Sequence, residues 1–159
     1  MNITVLCVGK VKEAFMREGI DEYSKRLGRY IKMKIVEVQD EKTPENASGN
    51  ENIRIINTEG ERILSKIRDT DYVCALAING KTYSSEEFSD YLARVQIKSK
   101  GNLVFVIGGS LGLSDAVIRR ADDSISFSRM TFPHQLMRMI LLEQIYRGYR
   151  ILNNEPYHK

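Results

Sequence analysis

The sequence predicts an α/β domain built on a mostly parallel sheet with helices on both faces. Three observations carry this. Short apolar, β-branched runs recur along the chain; segments with helical spacing separate them; glycine or a polar cluster marks most junctions. Residues 3–8 read as a buried strand ending at Gly9. Phe15, Met16, Ile20, Tyr23 and Leu27 follow at helical spacing and stop at Gly28, and residues 33–38 alternate as a second strand. Residues 40–51 hold a proline, a glycine and many polar groups, so they are expected to form a loop.

Ile53, Ile56, Ile63, Leu64 and Ile67 mark the next helix, and residues 72–78 a third strand closed by a turn at Asn79 and Gly80. Ser84 and Glu87 form a capping box for a helix whose apolar face is Phe88, Tyr91, Leu92 and Val95. Residues 103–107 are the fourth strand, followed by a glycine bend and a helix capped by Ser114. Residues 124–127 are a short fifth strand, and Pro133 opens a last helix reaching Leu152. No repeat or long linker divides the chain, so residues 1–159 form a single domain.

Composition narrows the function classes. Hydrophobic residues make up 42% and charged residues 28%, as in ordinary globular chains. No apolar run is long enough for a membrane helix, and the N-terminal apolar stretch lacks a basic leader, so a cytoplasmic protein without membrane partners is expected. Cys7 and Cys74 each lie in an apolar strand, which suits buried thiols; with only two histidines there is no zinc spacing, and no metal is expected.

The net charge of +3 is small, but it is unevenly placed. Residues 23–36 contain Lys25, Arg26, Arg29, Lys32 and Lys34 and no acid, whereas residues 37–61 are strongly acidic. Arg119, Arg120, Arg129, Arg138, Arg147, Arg150 and Lys159 dominate the C-terminal part. These are either solvated faces or two basic patches that fold together against a polyanion.

The bend Gly108, Gly109, Ser110, Leu111 and Gly112 sits beyond a strand end, where ligands bind in such sheets. It is not a dinucleotide fingerprint. Nor is it a phosphate loop, because Leu113 and Ser114 stand where lysine and Ser or Thr are needed. Either it is a tight turn that lets helix and strand pack closely, or it holds a flat, mostly neutral group such as an adenine through backbone amides. Residues 128–132 form an irregular link into the last helix, and the two loops together suit two walls of one pocket. The first half of that helix is apolar on nearly every side (Leu136, Met137, Met139, Ile140, Leu141, Leu142), which predicts cover by a second copy of the chain.

Through the stretches ITVLCVGK, EYSKRLGRY, LVFVIGGSLGL, SFSRMTFPHQLMRMILLEQIYR and NNEPYHK, essentially the whole chain closely resembles the bacterial ribosomal RNA large-subunit methyltransferase H family, small members of the SPOUT superfamily. FSRMTFPHQ and PYHK are its specific motifs. The resemblance implies a C-terminal trefoil knot, a homodimer, and methyl transfer from S-adenosyl-L-methionine to N3 of a pseudouridine in 23S rRNA of the assembled ribosome. It also implies donor contacts from Leu76, Gly108, Phe127, Ser128, Arg129, Met130, Thr131 and Phe132, mostly through backbone or apolar groups, with Ser128 and Thr131 shaping the loop. The tail is implied to fold over the site, Tyr157 and His158 acting there while Arg147 orients the target base or its phosphate. His134, at the helix start, is either a neutral imidazole near the chemistry or a brace for the loop. The basic residues 25–34 become a ribosome-docking surface.

Two other readings compete: a non-enzymatic ribosome-binding or assembly factor, and a flavodoxin-like nucleotide-binding domain. The first does not need the pocket loops or the tail; the second leaves FSRMTFPHQ and PYHK unexplained.

Overall fold

The computed structural model describes all 159 residues. Strands and helices alternate throughout: β1 (Asn2–Val8), α1 (Ala14–Leu27), β2 (Lys32–Val38), α2 (Gly49–Leu64), β3 (Tyr72–Lys81), α3 (Ser85–Lys98), β4 (Asn102–Ile107), α4 (Asp115–Arg120), β5 (Asp123–Ile125) and α5 (His134–Leu152). The sheet order is β2-β1-β4-β3-β5, and every neighbouring pair is parallel. No helix is long and apolar enough to cross a membrane.

The two-residue period of the strands divides the core. Ile3, Val5 and Cys7 of β1 and Leu103, Phe105 and Ile107 of β4 face a cluster shared with α1, α3 and α5. Their neighbours Leu6, Val8, Val104 and Val106 face the opposite side, against Ile63 of α2 and Val117 of α4. Near-continuous apolar strands are what a sheet covered on both faces requires. Cys7 and Cys74 are fully buried free thiols, and burial pushes each up to about 12. Leu141, Leu142 and Ile145 fix α5 on the sheet, each contributing about 1.5–3 kcal/mol by leaving water. Leu136, Met137, Met139 and Ile140 remain half-exposed, so the first half of α5 is not buried all round within one chain.

Three boundaries differ from the sequence expectation. Helix α2 starts at Gly49 rather than near Ile53, because Ser48 accepts a hydrogen bond from the Glu51 amide and Glu51 returns one to Ser48. The expected loop therefore ends before the cap. Strand β5 spans Asp123–Ile125 rather than residues 124–127.

The third difference matters most. Strand β3 does not close at Asn79 and Gly80. Leu76 pairs with Ile125, the register shifts, and Lys81 pairs with Ile125 again, with the Ser126 amide donating to the Lys81 carbonyl at 2.9 Å. β5 ends at Ile125, so Ser126 and Phe127 belong to the following loop.

Gly80 lies directly against that crossing. A Cβ there would sit 2.5 Å from the Ile125 carbonyl carbon and 2.6 Å from its amide nitrogen, both backbone atoms that cannot swing away. Gly80→Ala is expected to lose about 1–3 kcal/mol, read as a lowered urea midpoint. An unchanged midpoint would contradict the contact.

Candidate active site

Strand β4 delivers the glycine bend at its carboxyl end. A Cβ on buried Gly108 would lie 2.7 Å from the Gly112 carbonyl, so the bend can close only on glycine. It does so through a bridge between Gly109 and Gly112, with the Gly112 amide donating to the Gly109 carbonyl at 3.1 Å and Gly112 at a φ of +86°. Behind it stands Glu59, buried on α2 and within 2.9 Å of where a Gly109 Cβ would be. Burial pushes its carboxyl above the usual range, while it accepts the Glu41 amide at 2.9 Å. Nothing in the local sequence marks Glu59 as a neighbour of the bend.

A cavity of about 290 Å³ opens between the start of α3, the segment after β5 and the middle of α5. Phe88, Phe127, Phe132 and Ile140 supply apolar walls; Ser84, Ser85 and Gln144 supply its polar edge. Phe127 meets Phe88 edge-on with centroids 6.1 Å apart. Ser128 shapes the loop: its carbonyl accepts from the Ser126 hydroxyl at 3.0 Å, and its hydroxyl accepts from the Met130 amide at 2.9 Å. Arg129, Met130 and Thr131 are exposed, Met130 by 74%. Of the eight predicted donor-site residues, Phe127 and Phe132 line this cavity. Leu76 packs against the larger core cluster, and Gly108 packs within its own bend.

Helix α5 ends in a Schellman turn. Asn154, at a φ of +53°, donates to the Ile151 carbonyl at 3.0 Å, and the Glu155 amide to the Arg150 carbonyl at 2.9 Å. That turn sends the last residues back along the helix, where the three predicted tail-site residues meet around Glu143. Arg147 donates to one Glu143 oxygen through Nε at 3.1 Å and Nη2 at 2.7 Å, and the Tyr157 hydroxyl donates to the same oxygen at 3.1 Å. The Arg147 guanidinium also lies over the Tyr157 ring at 4.7 Å. His158 Nδ1 faces Arg147 Nη1 at 3.3 Å, and Nε2 faces Glu86 at 2.8 Å. Because arginine only donates and the carboxylate only accepts, this geometry places the imidazole proton on Nε2.

The tail is joined to the cavity. Gln144 donates to the second Glu143 oxygen at 2.8 Å and accepts from the Ser85 hydroxyl at 2.8 Å, and both Gln144 and Ser85 line the cavity. The sequence expectation for this site did not include Ser85, Glu86 or Gln144. The capping box at Ser84 was the available signal, since it places Ser85 and Glu86 in the first turn of α3. Burial, then the neighbouring Tyr23 hydroxyl and the Glu143 charge, push the Tyr157 phenol up to about 12, so it stays neutral near pH 7.

His134 stands at the other end of α5, its imidazole held below its usual value by burial and then by Arg138. Arg138 is itself buried, donating to Glu37 at 2.8 Å and to the Gly9 carbonyl at 3.2 Å. This ties the helix start to the ends of β1 and β2. No group of three or more His, Cys, Asp or Glu side chains converges as ligands would.

A parallel α/β sheet with its cavity and glycine bend beyond the strand ends, closed by a returning C-terminal segment, defines a small-ligand-binding domain of the kind many transferases use. The chain belongs to the family described as "Predicted SPOUT methyltransferase", whose model matches residues 1–158. It is 57% identical, over the full length of both chains, to the ribosomal RNA large subunit methyltransferase H of Enterococcus faecalis. It is 56% identical, again end to end, to a ribosomal RNA large subunit methyltransferase H of Clostridium perfringens. Among solved structures, a methylase family protein from Neisseria gonorrhoeae shares the fold at a TM-score of 0.52, with 13% identity over 99% of this chain and 85% of that one. A Legionella pneumophila protein solved with SAM bound does so at 0.51, with 12% identity over 94% of this chain and 66% of that one.

The tail contacts set a pH dependence. Glu155 is held below the usual glutamate value by the Tyr30 hydroxyl and then Arg150 and Arg29; Glu86 is held down by its own backbone amide and then by His158. Such contacts contribute fully above the ordinary value of 4.5 and are lost as pH falls through the lower folded values. NMR signals of residues 155–158 should therefore move to unstructured positions on acidification, and Glu143→Ala should produce the same shift at neutral pH. Unmoved signals in the variant would contradict the role of Glu143.

Proposed function

We propose that this protein methylates N3 of a pseudouridine in 23S rRNA within the assembled ribosome, using S-adenosyl-L-methionine. The observation that carries the reading is the convergence of Arg147 and Tyr157 on Glu143, with His158 held between Arg147 and Glu86, one hydrogen-bonded step from a cavity walled by Phe127 and Phe132. The end-to-end identity to ribosomal RNA large subunit methyltransferases H supports the substrate class. The non-enzymatic docking factor has no use for this arrangement.

The residues fit such a donor. Flat aromatic walls and hydroxyl or amide edges suit an adenosine with an aliphatic sulfonium arm, and a cavity of about 290 Å³ is at the small end for such ligands. Phe127 and Phe132 would hold it, with Leu76, Gly108 and the loop residues Ser128, Arg129, Met130 and Thr131 completing the donor contacts. When bound, the donor supplies an activated methyl carbon. The protein's task is to align that carbon with N3 and receive the proton leaving it.

Arg147 turns to the target base or its phosphate. Its departure opens Nδ1 of His158, the lone pair of which then accepts the N3 proton, while Glu86 holds Nε2–H and keeps the ring in the working tautomer. Tyr157, neutral near pH 7 and held by Glu143 through its hydroxyl, fixes the base in plane with its ring.

Two further features belong to the proposal. The chain carries the trefoil knot of its superfamily; the double pairing of Ile125 with Leu76 and Lys81 across the Gly80 contact supports it. The working unit is a cytoplasmic homodimer; half-exposed Leu136, Met137, Met139 and Ile140 supply the apolar surface for it.

The test is transfer of labelled methyl groups from S-adenosyl-L-methionine to ribosomes from cells lacking this gene, with free rRNA and separated subunits in parallel. Label is expected on one large-subunit pseudouridine and only in assembled ribosomes. His158→Ala should lower kcat by about 100-fold, the scale of one general base. Label on free rRNA alone, or full activity of the variant, would refute the assignment.

A further inference from the structure

A second cleft, about 330 Å³ in volume, lies where the end of α1 meets the end of α5. Lys25, Arg26, Arg29 and Arg150 line it against one carboxylate, Glu22, which is already paired with Arg26 at 2.8 Å. The remaining positive charge has an intramolecular occupant. Glu155 places one oxygen 3.2 Å from Arg29 Nη2 and the other 2.5 Å from Arg150 Nη1, and it also accepts the Tyr30 hydroxyl. Two guanidinium groups and a phenol around one anion are the donors that hold a phosphate. Arg150 Nε is buried without any partner, so this set of donors is not saturated by Glu155.

Aromatic faces accompany the cations. The Arg29 guanidinium lies over the Tyr30 ring at 5.6 Å, and that of Arg150 over Tyr146 at 5.9 Å. Guanidinium groups laid on flat rings are held in place as donors, which suits the regularly spaced phosphates of an RNA backbone better than the flexible carboxylates of an acidic peptide. Tyr146 also meets the Tyr157 ring edge-on at 5.0 Å, so the cleft is one ring away from the residues assigned to chemistry.

We propose that this cleft binds a backbone phosphate of the ribosomal RNA, and that Glu155 occupies the phosphate position until the RNA arrives. The proposal rests on the rRNA methylation reading above. Glu155 and the Pro156 carbonyl, which accepts from Arg150 Nη2 at 3.1 Å, are the last anchors before Tyr157 and His158. A phosphate that takes Arg29, Arg150 and Tyr30 displaces Glu155 and frees the tail to settle on the target nucleotide. RNA binding and tail placement are thereby one event.

The experiment is equilibrium binding of the full-length protein to unmethylated ribosomes across a salt series, comparing wild type, Arg29→Glu and Glu155→Gln, with S-adenosyl-L-methionine affinity and circular dichroism as controls. The Arg29 side chain is 70% exposed, so its replacement should leave the fold intact. Arg29→Glu should weaken binding about tenfold and reduce the log–log salt slope by about 1. Glu155→Gln, with the competing anion gone, should tighten binding severalfold, and donor affinity should stay within twofold in both. Unchanged binding by Arg29→Glu, weaker binding by Glu155→Gln, or competition by polyglutamate as strong as by an RNA homopolymer overturns the cleft assignment while leaving methylation intact. A wild type that neither binds nor methylates ribosomes overturns the underlying reading instead.

Discussion

Two nitrogens of Arg147 and the hydroxyl of Tyr157 share one oxygen of Glu143, while the other oxygen takes the amide of Gln144. The placement of the tail depends on this carboxylate. The Schellman turn reverses the chain, but a turn alone would leave four residues free to fray. Glu143 gives them a fixed endpoint, and Arg147 then reaches His158. Because the Arg147 and Glu143 side chains are only 24% and 19% exposed, a missing partner leaves the other poorly solvated, which makes the cluster cooperative rather than a sum of weak surface pairs.

Helix α5 connects the pieces along its length. At its start, buried Arg138 grips Glu37 and the Gly9 carbonyl, which sets the position of the Phe127 to Phe132 loop that feeds into it. In the middle, apolar side chains lock it against the sheet, and Gln144 and Glu143 connect the cavity to the tail. At its end, Arg150 holds Glu155. A single rigid element thus fixes loop, cavity edge and tail relative to one another, as a site demanding close alignment requires.

The sheet and its helices were legible because their cause is local: apolar runs of period two, helical stripes, and the capping box at Ser84 and Glu87. An identical box at Ser48 and Glu51 was equally written in the chain, yet the proline, glycine and polar residues around it outweighed it. The extension of β3 past Gly80 was not legible, since it depends on Ile125, far along the chain, accepting a second register. Arg138 counted among the C-terminal surface cations and proved to be one of the most buried side chains, because no pattern within a helix announces a partner on β2. Arg147, Tyr157 and His158 were named from the motifs that hold them and do lie together, whereas the contacts of Glu86 with His158 and of Gln144 with Glu143 were not legible. Those contacts arise only when α3, α5 and the tail meet in the fold.

In the proposed function the tail serves the transfer step and not the holding of the donor. That role is tested most directly by a chain ending at Asn154, assayed for single-turnover methyl transfer to ribosomes alongside calorimetric titration with S-adenosyl-L-methionine. Donor affinity is expected within about twofold of the intact protein and transfer reduced by at least about 100-fold. Transfer at the intact rate, or loss of donor binding together with transfer, would contradict that role.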